Sequence, residues 1–386
     1  MQVFRGRVLT PTEIIDDGAL AAESGTLTYV GSWQSAPEAV RTSAAPPAPE
    51  QYLLPGLVDV HNHGGGGVSF PDTESVEDVA RGVAEHRGHG TTRMLASLVT
   101  ASAQTLRERV ALLADAADEG IIAGIHLEGP FISHARCGAQ NPAHIIPGDP
   151  ALTRELIDLG RGHVRTMTIA PETPNLECVL GALVEGGAVP SFGHTDTDEA
   201  TMREAIAAGV AALAGTGRRA TVTHLFNGMR PIHHRLPGPV PAALAAASRG
   251  EVIVELIGDG VHLHPGIVRD VFELVGANNI ALITDAMAAT GMADGEYRLG
   301  SLDVVVADGV ARLAGGESIA GGTAHLLDVV RRTVAGGVPL VDAVRAAATV
   351  PASIIDPAAG FGALEVGKPA QVLRVDEQLR IIDGAA

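Results

Sequence analysis

The chain has 386 residues, of which 46% are hydrophobic and 19% charged, so a packed globular protein with one large core or two domains is expected. Its 27 basic and 45 acidic residues give a formal charge of −18, which argues against nucleic acid and anionic membranes as partners. The two cysteines give no disulfide framework and no apolar run reaches about 18 residues, so a cytoplasmic protein is expected.

Both ends of the chain contain short strand-like segments. They lie at residues 7–9 and 27–30 near the N-terminus, and at 371–375 and 380–382 near the C-terminus. A Pro/Ala-rich stretch at residues 44–49 is typical of a surface connector. We therefore predict one small β-sandwich domain that combines residues 1–54 with residues 357–386.

Residues 55–356 alternate between strand and helix patterns, for example helices at 75–87, 102–117 and 265–275. The apolar runs that predict strands lie near residues 55–60, 91–98, 121–127, 164–169, 188–192, 220–224, 251–256 and 280–284. Eight such alternations favour a (β/α)8 TIM-type barrel of the α/β class. An open doubly wound sheet is the alternative, but it would not gather eight strand ends into a ring. Residues 297–314, with Asp308-Gly309 between two apolar segments, predict an inserted β-hairpin.

Metal-ligand residue types follow several of the predicted strands. His61 and His63 alternate along the first strand and so point to the same face. Glu128 ends the third predicted strand, and His194 and His224 end the fifth and sixth. Because a parallel barrel brings these ends to one rim, Glu128, His194 and His224 can hold a cation and leave one position for water. The alternative for Glu128 is a salt bridge to an arginine of the rim.

Asp285 follows the eighth predicted strand, where it can contact the cation and exchange a proton with the bound water. The alternative is a helix N-cap, a position that Asp favours. The only lysine, Lys368, lies near the C-terminus, so neither a Schiff base nor a carbamylated lysine is expected. Glu128 is then the carboxylate available to bridge two cations. Together these residues predict hydrolysis in which metal-bound hydroxide attacks and Asp285 acts as general base, then acid.

With these motifs the sequence resembles the N-acetylglucosamine-6-phosphate deacetylases of the amidohydrolase superfamily, in family order and over most of the chain. An H-x-H pair with a final Asp marks only the superfamily, whereas the other motifs are more specific. The segments that carry the resemblance are Pro55–Gly64, His126–Phe131, Gly193–Thr195, Thr223–Met229, Asp259–His262 and Thr284–Ala286.

The resemblance implies a metal-dependent hydrolase that converts N-acetyl-D-glucosamine 6-phosphate to D-glucosamine 6-phosphate and acetate. It assigns Glu128, His194 and His224 to the principal metal site and His61 and His63 to a second site that only some members retain. One or two divalent cations per subunit are therefore expected. Zinc is the first expectation, with iron or another divalent cation as the alternative, because the ligand types do not decide.

The resemblance also implies a substrate site and a homodimer in which Arg235 reaches the phosphate in the neighbouring subunit's active site. His262 orients either a sugar hydroxyl or the oxyanion, a choice the sequence leaves open. The full set of implied substrate contacts is Ala139, Gln140, Asn227, Gly228, Arg235, His262, Ile319, Ala320 and Gly321.

Two positions depart from the family pattern: Gln140 stands where some members have His, and Cys137 replaces a basic residue. Two other functions stay open from the sequence. One is another amidohydrolase reaction, such as cyclic-amide hydrolysis or deamination, which uses the same cations and Asp. The other is a catalytically silent barrel that binds a sugar phosphate.

Overall fold

Eight parallel strands form one sheet in a computed structural model that describes residues 1–43, 50–358 and 360–383. Each strand lies within three residues of its predicted bounds at both ends. The predicted connector at residues 44–49 lies outside the described residues. The strands, in chain order, are Leu57–Asp59, Thr91–Leu98, Gly124–Glu128, Val164–Ile169, Val189–Phe192, Ala220–Val222, Val252–Leu256 and Ile280–Leu282.

The first and last of these strands meet just beyond their C-terminal ends. Asn62 and Ala286 form a parallel β-bridge, and the His63 N–H donates to the Ala286 carbonyl at 2.7 Å. The Asp285 N–H in turn donates to the His61 carbonyl at 3.0 Å. The sheet therefore closes into a barrel, which confirms the predicted fold class and rules out the open sheet. The closing contacts involve three of the residues singled out as metal or acid/base groups.

Helices surround the barrel and supply the outer half of its core. In the helix Ala103–Asp118 the side chains of Leu106, Val110 and Leu113 are buried on one face, as their spacing predicts. Burial of each such side chain contributes about 1.5–3 kcal/mol. The α-helices are Glu38–Thr42, Val76–Gly88, Ala103–Asp118, Pro150–Leu159, Leu176–Glu185, Glu199–Ala212, Val240–Ser248, Pro265–Val275, Leu326–Ala335, Leu340–Ala347 and Thr349–Ile355, with short 3₁₀ turns at His134–Arg136, Pro142–His144 and Ala277–Asn279.

None of the helices in these described ranges is both long enough and apolar enough to cross a bilayer.

Strands from both ends of the chain form one six-stranded sheet. Residues 372–375 pair antiparallel with residues 52–55, which also pair in parallel with the first strand of the chain. Leu20, Leu53 and Val372 are buried in the small core of this sheet. The domain bounds at residues 54 and 356 stay a prediction. The strands are Gln2–Leu9, Ile14–Glu23, Thr26–Ser32, Tyr52–Pro55, Val372–Val375 and Ile381–Asp383.

The insertion after the eighth barrel strand is a three-stranded antiparallel sheet with strands Gly295–Leu299, Leu302–Ala307 and Val310–Leu313. Asp308 and Gly309 both have positive φ, 53° and 71°, as a tight hairpin turn with the right-handed twist requires. Val304 and Val306 of this sheet are buried in one cluster with Met287, which lies just beyond the barrel rim. The insertion is thereby fixed over the C-terminal face of the barrel. A second, two-stranded hairpin follows the first barrel strand, at Gly64–Gly65 and Val68–Ser69.

Candidate active site

Three side chains from the third, fifth and sixth barrel strands meet at one point on the rim. The Nε2 atoms of His194 and His224 lie 3.1 Å apart, and each lies 2.9 Å from Oε1 of Glu128. All three residues are buried. They are separated by up to 96 positions along the chain and come together because the barrel gathers the strand ends. This is the first predicted set of ligands, and its nitrogen and oxygen atoms converge as a cation site requires.

A second group of side chains lies directly beside the first. The Nε2 atoms of His61 and His63 are 3.1 Å apart, and they lie 3.4 and 3.3 Å from Oδ1 of Asp285. The other oxygen of Glu128, Oε2, lies 3.2 Å from Nε2 of His63. Glu128 therefore faces both groups, one oxygen towards each, which is the arrangement that a bridging carboxylate needs.

Hydrogen bonds on the outer ring nitrogens fix which nitrogen of His194 and of His63 faces inward. Nδ1 of His194 lies 2.8 Å from the Arg136 carbonyl, and Nδ1 of His63 lies 3.2 Å from the Ser97 carbonyl. A carbonyl oxygen only accepts, so Nδ1 carries a proton in both rings, and Nε2 is the nitrogen left to bind a cation at the centre. Inward lone pairs next to a carboxylate fit a divalent cation, and the nitrogen and oxygen donors suit zinc or iron.

The charges of the site shift the proton affinities of its members. Burial by itself raises the pKa of Glu128, but the neighbouring His61 and His194 outweigh burial and hold that pKa well below its usual range. Burial likewise acts to raise the pKa of Asp285, yet His61 and His63 lower it to about 2. Both carboxyl groups are therefore ionised near neutral pH. Ionised carboxylates are the form that binds a cation or accepts a proton.

Three of these residues have backbone conformations that non-glycine residues rarely adopt. His194, His224 and Asp285 have φ values of 47°, 26° and 49°, each just after a barrel strand. Such conformations cost of order 1–3 kcal/mol and persist where the surrounding structure enforces them. Here they turn the three side chains from the strand direction into the mouth of the barrel.

A cavity of about 330 Å³ opens above the two groups. Most of the predicted substrate contacts line it, namely Ala139, Gln140, Asn227, Gly228, His262, Ile319 and Gly321. Ala320 is fully buried between two of these residues. Arg235 does not line the cavity. It lies in an exposed loop, where its guanidinium is 2.8 Å from Nε2 of His234.

Two of the cavity residues are held by specific partners. Nδ1 of His262 lies 2.7 Å from the Asp259 carboxylate, which leaves Nε2 for a ligand. Burial by itself lowers the pKa of His262, but the hydrogen bond and charge of Asp259 raise it overall. The Gln140 amide donates to Glu128 Oε2 and accepts from the Thr100 N–H, both at 2.6 Å. Gln140 is therefore engaged inside the protein at both ends of its amide.

The structure decides between the alternatives that the sequence left for two residues. Glu128 contacts histidines and Gln140, with no arginine among its partners in the described residues. No helix begins at Asp285, so the N-cap alternative is wrong.

Sequence reasoning missed one buried acid of the site, Glu255 of the seventh strand. Its carboxylate lies 3.2 Å from Nδ1 of His61. The available signal was a single charged residue inside the otherwise apolar strand Val252–Leu256.

Comparisons with known proteins identify the family of this chain. The model of the amidohydrolase family matches residues 52–381. An N-acetylglucosamine-6-phosphate deacetylase of Lysinibacillus sphaericus is 36% identical over 285 residues, which is 73% of this chain and 70% of that protein. An N-acetylgalactosamine-6-phosphate deacetylase of Shewanella sp. strain ANA-3 is 32% identical over 336 residues, covering 86% of this chain and 80% of that protein.

Among solved structures, an Asp-to-Ala variant of the Mycobacterium smegmatis N-acetyl-D-glucosamine-6-phosphate deacetylase was determined with N-acetyl-D-glucosamine 6-phosphate bound. It superposes with a TM-score of 0.88 and 41% identity, over 98% of this chain and 96% of that one. The chain therefore belongs to the amidohydrolase family, in the group that contains the N-acetylglucosamine-6-phosphate deacetylases.

Proposed function

We propose that this chain hydrolyses the acetamide of N-acetyl-D-glucosamine 6-phosphate and releases acetate and D-glucosamine 6-phosphate. One observation carries the proposal. Glu128, His194 and His224 converge at the floor of a cavity of about 330 Å³, with Asp285 at the adjacent position. A pocket of this size is within the usual range for a small ligand such as a sugar phosphate.

Asp285 carries the proton transfers of the proposed reaction. A divalent cation, when bound, polarises the amide carbonyl and lowers the pKa of water. Asp285 is ionised because its pKa is about 2, so it accepts a proton from the attacking water. It then donates that proton to the amine nitrogen as the carbon–nitrogen bond breaks. Hydrolysis of the amide consumes one water and needs no other reactant.

Other residues hold the substrate in this proposal. His262 presents its free Nε2 to the cavity, to orient either a sugar hydroxyl or the developing oxyanion. Asn227 and the backbone around Gly228 and Gly321 line the remaining wall. Following the family resemblance, we assign Arg235 to the phosphate in the active site of a second subunit, and its position outside the cavity of its own chain leaves it available for that role. A guanidinium suits this role because it donates to phosphate oxygens as a planar fork.

Two cation positions per chain are part of the proposal. Glu128, His194 and His224 would hold one cation, while His61, His63 and Asp285 would hold the second, with Glu128 as the bridge. We expect zinc, with iron or another divalent cation as the alternative, and a cytoplasmic homodimer. Elemental analysis of the purified protein tests the metal, and light scattering tests the dimer.

The 4-epimer, N-acetyl-D-galactosamine 6-phosphate, is the second candidate substrate, because the Shewanella relative bears that name. Both sugars share the acetamide and the phosphate, so the same catalytic residues serve either one. A different amidohydrolase reaction, on a cyclic amide or an aminated base, would leave the phosphate residue Arg235 without a role.

The decisive experiment incubates the purified protein with each N-acetylhexosamine phosphate and measures acetate and free amine. We expect release of both products, loss of turnover with a chelator, and recovery when Zn²⁺ is returned. Binding without acetate release would favour the catalytically silent barrel. Turnover of cyclic amides but not of the sugar phosphates would contradict the proposed substrate.

A further inference from the structure

A buried carboxylate outside the proposed reaction contacts one histidine of each group. Glu255 lies in the seventh barrel strand and is 2% exposed. Its Oε2 atom lies 3.2 Å from Nδ1 of His61 and accepts the backbone N–H of His224, also at 3.2 Å. Among the described residues, the Glu255 side chain has these two hydrogen-bond partners. Buried carboxyl groups are rare unless they have partners, and both partners of Glu255 are residues of the proposed cation sites.

The contact with His61 sets the chemistry of that ring. Oε2 of Glu255 already accepts the His224 N–H, so it is an acceptor towards His61 as well, and Nδ1 of His61 carries the proton of that contact. Nε2 is then the ring nitrogen left to bind a cation, and it lies 3.1 Å from Nε2 of His63 and 3.4 Å from Oδ1 of Asp285. The opposite tautomer would place a lone pair against the Glu255 carboxylate. A negative charge behind the ring also makes Nε2 a stronger donor to a cation.

The contact with His224 supports a strained conformation. His224 has a φ of 26°, and its Nδ1 is buried with no hydrogen-bond partner in the described part of the chain. The rings of His63 and His194 are held by hydrogen bonds at Nδ1, whereas the ring of His224 is not. The bond from its backbone N–H to Glu255 helps to hold the conformation that aims Nε2 at Glu128.

We infer that Glu255 is a positioning residue that fixes the tautomer of His61 and thereby secures a cation at the position of His61, His63 and Asp285. The inference rests on the metal-dependent function proposed above. It predicts that loss of Glu255 lowers the metal affinity of the position that includes His61. The affinity of the position formed by Glu128, His194 and His224 should fall less. Removal of such an outer carboxylate typically weakens metal affinity by about 10- to 100-fold.

The test is a Zn²⁺ titration of the 386-residue chain after its metal has been removed with a chelator, with binding measured by calorimetry. The wild-type chain is expected to bind two Zn²⁺. Glu255→Gln, which has nearly the same shape but accommodates either tautomer, should bind one of them about 10- to 100-fold more weakly. Asp118→Asn is the control, because Asp118 also pairs with a histidine, His163 at 2.7 Å, but belongs to none of the groups of described residues that could hold a metal. The control should bind both cations as the wild type does.

In the His61→Ala background, adding Glu255→Gln should cause no further loss at that position, because Glu255 acts there through the ring of His61. The wild-type protein gives a readout that does not depend on variant folding. In ¹⁵N-histidine spectra of the Zn²⁺-loaded wild type, His61 should be coordinated through Nε2 with Nδ1 protonated.

Coordination of His61 through Nδ1, or wild-type affinities in Glu255→Gln, would overturn the inference. A wild-type chain that binds a single Zn²⁺ would also overturn it, even if acetate release confirms the proposed function. A wild-type chain that binds no Zn²⁺ and releases no acetate would overturn both.

Discussion

Replacing Gln140 with Leu tests whether its amide supports the site from inside the protein. Leu has nearly the same volume, so the change removes hydrogen bonds without opening a large cavity. Gln140 is 3% exposed, and it connects the Thr100 N–H with Oε2 of Glu128 through two contacts of 2.6 Å. Because water does not reach these buried groups freely, both lose their partner when the amide is removed.

The expected magnitude follows from those two contacts. An unpaired buried N–H at Thr100 costs about 1–3 kcal/mol, and loss of a hydrogen bond to a charged group costs about 1.5–3 kcal/mol. In the metal-free protein Gln140→Leu should therefore lower the free energy of unfolding by roughly 2.5–6 kcal/mol. With Zn²⁺ present, a cation compensates the Glu128 carboxylate. The loss should then fall towards the cost of the Thr100 N–H alone.

The assay is unfolding by urea, monitored by circular dichroism, in one series with chelator and in a second series with Zn²⁺. Gln104→Leu is the control, since Gln104 is exposed on the helix Ala103–Asp118. Its free energy of unfolding should change by no more than about 0.5 kcal/mol. Equal unfolding midpoints for Gln140→Leu and the wild type in chelator would refute the reasoning. A raised KM with normal stability and metal content would instead favour Gln140 as a direct substrate contact.

Three further predictions concern turnover, the phosphate and pH. Asp285→Asn should keep the cation held by Glu128, His194 and His224, measured by elemental analysis, but lose about 10²- to 10⁴-fold in kcat; near-normal kcat would show that Asp285 is not the acid/base. Arg235→Ala should raise KM for the phosphorylated sugar far more than for its unphosphorylated analogue, and equal losses would exclude a phosphate role. Burial lowers the pKa of His61, but the Glu128 and Asp285 carboxylates outweigh burial and hold it well above 6.5. Protons therefore occupy the metal-free site at low pH, and Zn²⁺ affinity should rise with pH; calorimetry showing a pH-independent affinity would contradict this.

Arg235 is the predicted substrate residue that does not reach the cavity of its own subunit. The loop that carries it is exposed, and the guanidinium contacts its sequence neighbour His234 rather than the cavity. Its assignment therefore depends on a second subunit and stays a prediction.

Local sequence determined most of the architecture. The apolar runs predicted all eight barrel strands, and the Asp308-Gly309 turn predicted part of the insertion. Residue types at the strand ends also predicted which side chains converge, because a parallel barrel leaves only one rim for them. These features depend on near neighbours in the chain and on the geometry of one repeated unit, so periodicity and residue type are sufficient to predict them.

The tertiary structure decided which atoms of those side chains face each other. Glu255 meets His61 across 194 positions, and Gln140 turns its amide onto Glu128 instead of leaving it free in the cavity. It also set the order and register in which the strands from both ends of the chain pair in one sheet. No local pattern encodes such pairings, because closure of the barrel and of the terminal sheet alone sets the distances between residues so far apart in the chain.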